Sequence, residues 1–263
     1  MKISLCAFIT ANSPLEEQIA AVKAAGITQV EVEGCNGVAA ADMTETELAA
    51  CRAALDAAGL TVYALATDLG NIGVGDHNHN LNEVRLYPTM RAAQMLGTKK
   101  LRIFLHTVTE EQKQHLGIAF AIMAKTNRFN HLGDQYLMCI ENGTAFFADT
   151  EERMTYSLDR LYLARSVFNP AAYLAAGKAE LTAAVKTLLN RATYLRLADG
   201  KADGTLAPIG AGECDIAAIL GEIYKDTVLS VSSQAEPIAQ AAATVNQMLT
   251  SLGYTYADGV YEK

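Results

Sequence analysis

A strand-then-helix unit recurs eight times along the chain, and this repeat restricts the folds open to it. In each unit a short β-branched or alternating run precedes a polar loop, and an Ala/Leu-rich stretch with helical periodicity follows. Six loops carry a helix-capping signature, in which Ser, Thr, Asn or Asp precedes Glu or Gln by three residues. The signatures span Ser13–Glu16, Thr44–Glu47, Asn80–Glu83, Thr109–Gln112, Asp149–Glu152 and Ser233–Glu236. Six signatures in step with the strands indicate genuine helix starts.

Eight short runs are predicted to form the strands. They are Ile3–Phe8, Gln29–Glu33, Thr61–Ala66, Leu101–Leu105, Tyr136–Ile140, Arg165–Phe168, Thr193–Leu197 and Val228–Val231. Alternation of strand and helix implies parallel pairing through right-handed crossovers. The 263 residues are close to the roughly 250 typical of a (β/α)8 barrel. We therefore predict an α/β fold, a single (β/α)8 TIM barrel over residues 1–263. A doubly wound open sheet is the alternative, although no G-x-G-x-x-G motif follows the first strand.

Composition excludes several classes of partner. The formal charge of -8 disfavours binding of nucleic acid, which usually requires a basic surface. No apolar run reaches the ~18 residues that a membrane span requires, so we expect no membrane partner. The opening residues Met1–Phe8 are typical of a strand and not of a signal peptide. The five cysteines are scattered without a Cys-x-x-Cys pair, which predicts reduced thiols and a cytoplasmic location.

The strand ends from Tyr136 onward resemble those of the xylose isomerase-like TIM-barrel family. This family contains sugar isomerases and epimerases and also an apurinic endonuclease branch. The matching segments are Cys139–Asn142, Val167–Ala171, Tyr194–Gly200 and Pro208–Asp215. In the family they correspond to a strand ending in Glu-Asn, an Asp-Pro strand end, a His-x-Lys-Asp strand and a Pro-Leu-Gly loop. The endonuclease branch needs many histidine and carboxylate ligands, which five scattered histidines do not offer.

The resemblance implies one divalent cation, Mn, Mg, Co or Zn, held by a Glu, an Asp, a His and a second Glu. In this chain Glu141 matches the first ligand, whereas Asn169 stands at the Asp position and Arg196 at the His position. Residues 232–234, Ser-Ser-Gln, replace the last Glu. The charges at these positions sum to about zero, while a dication normally meets about three negative charges. We expect the metal site to be degenerate, and the cofactor is left unknown.

Arg196 beside Glu141 would give the barrel mouth a fixed positive charge that suits a carboxylate or phosphate. This interpretation predicts a sugar acid or sugar phosphate as ligand, with help from Lys201. Two alternatives stay open. Glu141 is either a catalytic acid or base or half of a structural ion pair, and Arg196 is either an anion binder or the internal counter-ion of Glu141.

Further candidates come from the other strand ends. His106 is predicted as a catalytic partner of Glu141 or a structural histidine, and Asp199 and Glu236 are the other candidates for a second base. His77 and His79 either chelate a metal or are solvated. Glu33 and Asp68 bind sugar hydroxyls or cap helices. The complete set of predicted substrate contacts is Arg196, Asn169, Asn142, Asp199, Lys201, Glu33 and Asp68.

Two functions follow from these residues and the resemblance. The first is a sugar isomerase or epimerase that moves a proton beside a carbonyl, with Glu141 and His106 as catalytic residues. The alternative is a catalytically inactive carbohydrate-binding or regulatory descendant of the family. In either case we expect a small, anionic carbohydrate as partner, and homo-oligomers are expected only by analogy with the family.

Overall fold

The computed structural model describes residues 1–75, 80–132, 136–232, 234–257 and 259–263, and within them eight parallel strands close into a barrel. The barrel strands are β1 (Lys2–Ile9), β2 (Gln29–Val32), β3 (Thr61–Ala66), β4 (Lys100–Ile103), β5 (Leu137–Glu141), β6 (Ala164–Phe168), β7 (Ala192–Leu197) and β8 (Thr227–Val231). Each strand lies within two residues of its predicted bounds. The (β/α)8 prediction is confirmed, and the open-sheet alternative is excluded because β1 pairs with both β2 and β8.

The side-chain alternation of the strands decides which residues enter the barrel. Successive residues of a strand point to opposite faces, so residues two apart share a face. Cys139 and Tyr194 pack in a small apolar cluster with Ala64 and Val167. Glu141 lies two residues after Cys139, and Arg196 lies two residues after Tyr194. The same alternation that fills the barrel with apolar groups therefore places these two charges at its carboxyl end.

Ten described helices surround the barrel and bury their apolar faces against it. They are α1 (Leu15–Ala24), α2 (Glu45–Ala57), α3 (Asn80–Leu96), α4 (Glu110–Lys113), α5 (Leu116–Leu132), α6 (Glu151–Leu158), α7 (Pro170–Ala175), α8 (Leu181–Leu188), α9 (Ile216–Gly221) and α10 (Ile238–Ser251). No helix of the described ranges is long and apolar enough to cross a membrane.

The capping signatures predict some helix starts better than others. Thr44 and Thr109 form complete capping boxes, in which each hydroxyl accepts from the third backbone N–H and the Glu or Gln side chain reaches back. The prediction at Ser13 is wrong, because Pro14 is the residue before α1 and the first backbone N–H of that helix, on Leu15, donates to Asn36 Oδ1 at 2.9 Å. At Asp149 it is one residue early, because the Thr150 hydroxyl caps α6. The side chain of Asn80 and the whole of Ser233 lie outside the described set.

Three short hairpins were not predicted. One joins β9 (Thr255–Ala257) to β10 (Val260–Glu262), and β10 pairs antiparallel with the start of β1. The other two follow β2 and β7 directly, as Gly34–Cys35 with Val38–Ala39 and Asp199–Gly200 with Leu206–Ala207. The last two matter for function because they stand at the carboxyl ends of the strands, where barrel loops form binding sites.

Candidate functional site

A cleft of about 600 Å³ opens at the carboxyl ends of the barrel strands; we call it the main cleft. Its walls include four of the residues that the sequence singled out. These are Glu33, Asp68, Glu141 and Arg196. The position agrees with the rule that (β/α)8 barrels place their sites at this end. The volume lies within the range of small-molecule sites.

Glu141 lies buried on the floor of the main cleft with both carboxylate oxygens engaged. Its Oε2 accepts a hydrogen bond from Nη1 of Arg102 and lies 3.5 Å from Nη1 of Arg196. Its Oε1 accepts from Nδ2 of Asn169 at 2.8 Å. Burial alone would raise the pKa of Glu141, but the charges of Arg102 and Arg196 and the bond from Asn169 hold it below its ordinary value. Glu141 is therefore an ionised carboxylate that accepts a proton poorly.

Arg102 and Glu31 complete this buried network, and the sequence analysis missed both. Nε of Arg102 lies 2.7 Å from Oε1 of Glu31. Glu31 also accepts hydrogen bonds from the Tyr194 hydroxyl at 2.8 Å and from the Ser230 hydroxyl at 2.5 Å. Burial would lower the pKa of Arg102, but Glu141 and Glu31 outweigh it and raise the pKa above its ordinary value. Arg102 is thus a permanent cation between two carboxylates.

Arg196 differs from Arg102 because its charge is buried with few partners. Its guanidinium carbon lies 4.3 Å from the centroid of the Phe8 ring, and the residue is only 6% exposed. Nε and Nη1 are both buried, and neither forms a hydrogen bond with any described residue. Buried donors are normally hydrogen-bonded, so two unbonded guanidinium nitrogens on a cleft wall mark Arg196 as a candidate binding group.

The rim of the main cleft is acidic and is braced by one arginine. Arg85 of α3 binds Asp42 through Nη1 and Nη2, at 3.0 and 3.1 Å, and Asp68 through Nε at 2.9 Å. Glu33 uses Oε2 to accept from the Thr10 hydroxyl and the Ala11 backbone N–H, at 3.1 and 3.0 Å. Neither Glu33 nor Asp68 caps a helix. Within the described ranges, Oε1 of Glu33 forms no hydrogen bond.

Asn142 and Asn169 tie the end of β5 to the end of β6. Asn142 Nδ2 donates to the Asn169 carbonyl at 2.9 Å, and the Asn169 N–H donates to Asn142 Oδ1 at 2.8 Å. The Asn169 side chain also caps α7, because it accepts from the N–H of Ala172 in the first turn of that helix. Neither residue lines the main cleft. Together they orient the amide that binds Glu141.

The remaining predicted site residues lie away from the main cleft. The Asp199 carboxylate accepts four backbone N–H bonds, from residues 200, 210, 212 and 214. Lys201 is exposed on the adjoining hairpin. Glu236 accepts from the Ile209 N–H at 2.7 Å. His106 is buried with a positive φ of 44° and does not line the cleft. His77 and His79 lie outside the described residues.

A metal ion at Glu141 would need further side chains that can act as its ligands close by. Across the described ranges, no three or more His, Cys, Asp or Glu side chains are grouped so that they could hold a metal ion. Ser232, at the end of β8, is nearly buried, and its hydroxyl contacts Gln234 Oε1 at 3.5 Å. The groups nearest to Glu141 are two guanidiniums and an amide that donates.

Comparisons with known proteins identify the fold. No family model and no curated protein matches the sequence. Among solved structures, a xylose isomerase domain protein from Planctomyces limnophilus is 13% identical over 96% of this chain and 98% of its own, with a TM-score of 0.70. A D-tagatose 3-epimerase-like protein is 12% identical over 95% and 98%, with a TM-score of 0.76. The probable 3-DHS dehydratase AsbF from Bacillus anthracis is 14% identical over 94% and 99%, with a TM-score of 0.72. The chain therefore has the xylose isomerase-like TIM-barrel fold that its strand-end motifs predicted.

Proposed function

We propose that the main cleft binds a small anionic carbohydrate whose negative group pairs with Arg196. The observation that carries this proposal is the buried guanidinium on the cleft wall with Nε and Nη1 unbonded within the described chain. A desolvated cation without good partners is unfavourable. A carboxylate or phosphate oxygen supplies strong, charge-assisted hydrogen bonds to it.

The network below the cleft leaves Arg196 available for a ligand. Glu141 makes its direct hydrogen bond to Arg102, while Arg196 stays 3.5 Å away. Arg102 is held in turn by Glu31. Glu141 therefore has its counter-ion without Arg196, which favours the anion-binding role over the internal counter-ion role.

The acidic rim favours one kind of anion. A ligand with several negative charges would be repelled by Glu33, whereas Asp68 is already paired with Arg85. Hydroxyl groups, in contrast, donate hydrogen bonds to such carboxylates. A singly charged sugar acid places its carboxylate at Arg196 and its hydroxyls at the rim, so it suits the cleft better than a sugar phosphate does.

The residues at the family's metal position do not fit a divalent cation. A cation beside Glu141 would approach the guanidiniums of Arg102 and Arg196, and both oxygens of Glu141 already accept hydrogen bonds. We therefore expect calorimetric titration of chelator-treated protein with Mn²⁺, Mg²⁺, Co²⁺ and Zn²⁺ to show no stoichiometric binding. Tight binding that disappears in Glu141→Ala would contradict the proposal and restore the metal-dependent interpretation.

Calorimetry with sugar acids tests the ligand proposal directly. D-gluconate and D-glucuronate are the probes, D-glucose is the neutral comparison and D-glucose 6-phosphate is the dianionic one. A hydrogen bond to a charged group contributes about 1.5–3 kcal/mol, so Arg196→Ala should weaken acid binding by about ten-fold to a hundred-fold. Arg165→Ala is the matched control, because it removes an exposed arginine at the amino end of β6. Equal affinity in Arg196→Ala and wild type would refute the anion-binding role.

A second candidate function is proton transfer beside a carbonyl without a metal. It is favoured by Glu33, a carboxylate on the cleft wall whose Oε1 has no hydrogen bond in the described chain. Arg196 would stabilise the developing oxyanion. Incubation of a bound keto-sugar acid in deuterated water distinguishes the two functions: an enzyme exchanges the proton beside the carbonyl, and Glu33→Gln abolishes that exchange. Binding without any exchange would leave the carbohydrate-binding function alone.

A further inference from the structure

The formal charges of the main cleft are balanced on its floor and unbalanced at its rim. On the floor and directly beneath it, two carboxylates lie with two guanidiniums. These are Glu31, Glu141, Arg102 and Arg196. The rim has three carboxylates and one guanidinium, which are Glu33, Asp42, Asp68 and Arg85. Three carboxylates against one guanidinium give the described part of the rim an excess of two negative charges.

This excess disfavours a ligand whose only charge is a carboxylate. Pairing with Arg196 would bring that carboxylate into a cleft whose walls are already negative overall. A positive group on the same ligand offsets the added charge. An aliphatic amine supplies one, since such an amine is protonated at neutral pH and its ammonium group has hydrogen-bond donors but no acceptor.

Glu33 is the rim carboxylate that an ammonium group can bind without displacing an arginine. The other two rim carboxylates both bind Arg85. Oε2 of Glu33 accepts only from neutral groups, the Thr10 hydroxyl and the Ala11 backbone N–H. Within the part of the chain that the structure describes, Glu33 has no cationic partner, and its Oε1 accepts no hydrogen bond. The cleft thus offers an unpaired carboxylate as well as the unbonded donors of Arg196.

The end of β1 lies between these two charged groups. In the order of the barrel strands, β1 lies between β7, which carries Arg196, and β2, which Glu33 follows. The guanidinium carbon of Arg196 lies 4.3 Å from the Phe8 ring centroid. Thr10, whose hydroxyl binds Glu33 at 3.1 Å, is two residues after Phe8. Two residues of a strand span roughly 7 Å, so one small ligand can contact both groups.

We propose that the main cleft takes an amino sugar acid, which is a polyhydroxylated carboxylic acid that also carries a protonated amino group. Its carboxylate binds Arg196, its ammonium group binds Glu33, and its hydroxyls contact the rest of the rim. This assignment deepens the anion-binding proposal and rests on it, because the carboxylate has the same partner in both. Glu33 is then the residue that selects an amine over a hydroxyl, since a hydrogen bond between two charged groups is stronger than one from a neutral donor.

Calorimetry with matched acids at neutral pH tests the assignment. D-gluconate is compared with D-glucosaminate and with 6-amino-6-deoxy-D-gluconate, in each of which an amine replaces one hydroxyl. Charge-assisted hydrogen bonds are roughly twice as strong as neutral ones, so we expect at least one of the two amines to bind about ten-fold more tightly than D-gluconate. Equal or weaker binding of both amines would overturn the assignment.

A glutamate variant and its control locate the ammonium site. In Glu33→Gln we expect the preference for the amine to disappear, because the amide keeps the size of the side chain and removes its charge. Glu180→Gln is the matched control, since it removes the same charge from an exposed glutamate before α8 that does not line the cleft. The control should keep the preference. A preference that survives in Glu33→Gln would refute the role of Glu33.

Arg196→Ala separates this inference from the proposal on which it rests. It should weaken the binding of all three acids, because each places its carboxylate at Arg196. Binding that depends on Arg196 but shows no preference for an amine would refute the amino sugar acid and leave the anion-binding proposal intact. Unchanged affinity for every acid in Arg196→Ala would refute the anion-binding proposal itself.

Discussion

At the scale of single residues, Arg102 stabilises the buried carboxylates on the floor of the main cleft. It is buried between Glu31 and Glu141, and both carboxylates have it as their cationic partner. Removing one partner of a buried ion pair leaves an uncompensated charge, which typically costs about 3–5 kcal/mol. Arg102→Ala removes this partner from Glu31 and leaves Glu141 with Arg196, which lies 3.5 Å away.

We therefore expect Arg102→Ala to lower the free energy of unfolding by about 3–5 kcal/mol in urea denaturation. Arg165→Ala, which removes an exposed arginine, should change it by less than about 0.5 kcal/mol. A loss below about 1 kcal/mol in Arg102→Ala would show that water or movement of the carboxylates relieves the buried charge.

The predicted and the missed residues of the cleft differ in where they lie on their strands. Glu141 and Arg196 were predicted together, and the structure brings their charged groups to 3.5 Å. Glu31 and Arg102 lie within strands, where the sequence analysis did not look for function. The sequence does mark them as unusual, because each is a charged residue flanked on both sides by β-branched or leucine residues. Which carboxylates Arg102 would meet could not be predicted, since that depends on the register between neighbouring strands.

At the scale of elements, the loop after β7 is organised by the Asp199 carboxylate. The four backbone N–H groups that it binds come from both sides of the loop between Gly200 and Cys214. This arrangement leaves no room at Gly212, where an added Cβ would lie 2.1 Å from Asp199 Oδ1. The Asp199 carboxylate is therefore the group that requires a glycine at this position.

Gly212→Ala should accordingly destabilise the protein by about 1–3 kcal/mol, as overpacking commonly does. Gly117→Ala is the matched control, because an added Cβ on this exposed helical glycine meets no atom within 4 Å. Alanine is also the better helix former, so the control should be neutral or slightly stabilising. Thermal unfolding of the two variants measures the difference, and equal midpoints would argue against a tight Asp199 loop.

At the scale of the whole molecule, the strand and helix pattern predicts the barrel. It does not predict the hairpin of β9 and β10, which pairs with the start of β1. The eight barrel strands are buried runs long enough to show β-branched or alternating patterns. Strand β9 has three residues and all are exposed, so no hydrophobic periodicity marks it. Its partner β10 is fixed by tertiary contact, since its residues 260–262 pair with the first residues of β1. Short strands of this kind are determined by the barrel onto which they dock.

The hairpin should stabilise the barrel through one of its two tyrosines. Tyr261 of β10 is 4% exposed and belongs to the main hydrophobic core. Tyr256 of β9 is 50% exposed, and its ring centroid lies 4.8 Å from that of Tyr261. Removal of a large buried aromatic side chain costs about 3–5 kcal/mol, while an aromatic pair alone contributes about 0.5–1.5 kcal/mol. Tyr261→Ala should therefore lower the free energy of unfolding by several times as much as Tyr256→Ala in matched urea titrations. Equal, small losses would mean that the barrel is stable without the hairpin, and that β10 docks on β1 without contributing to the core.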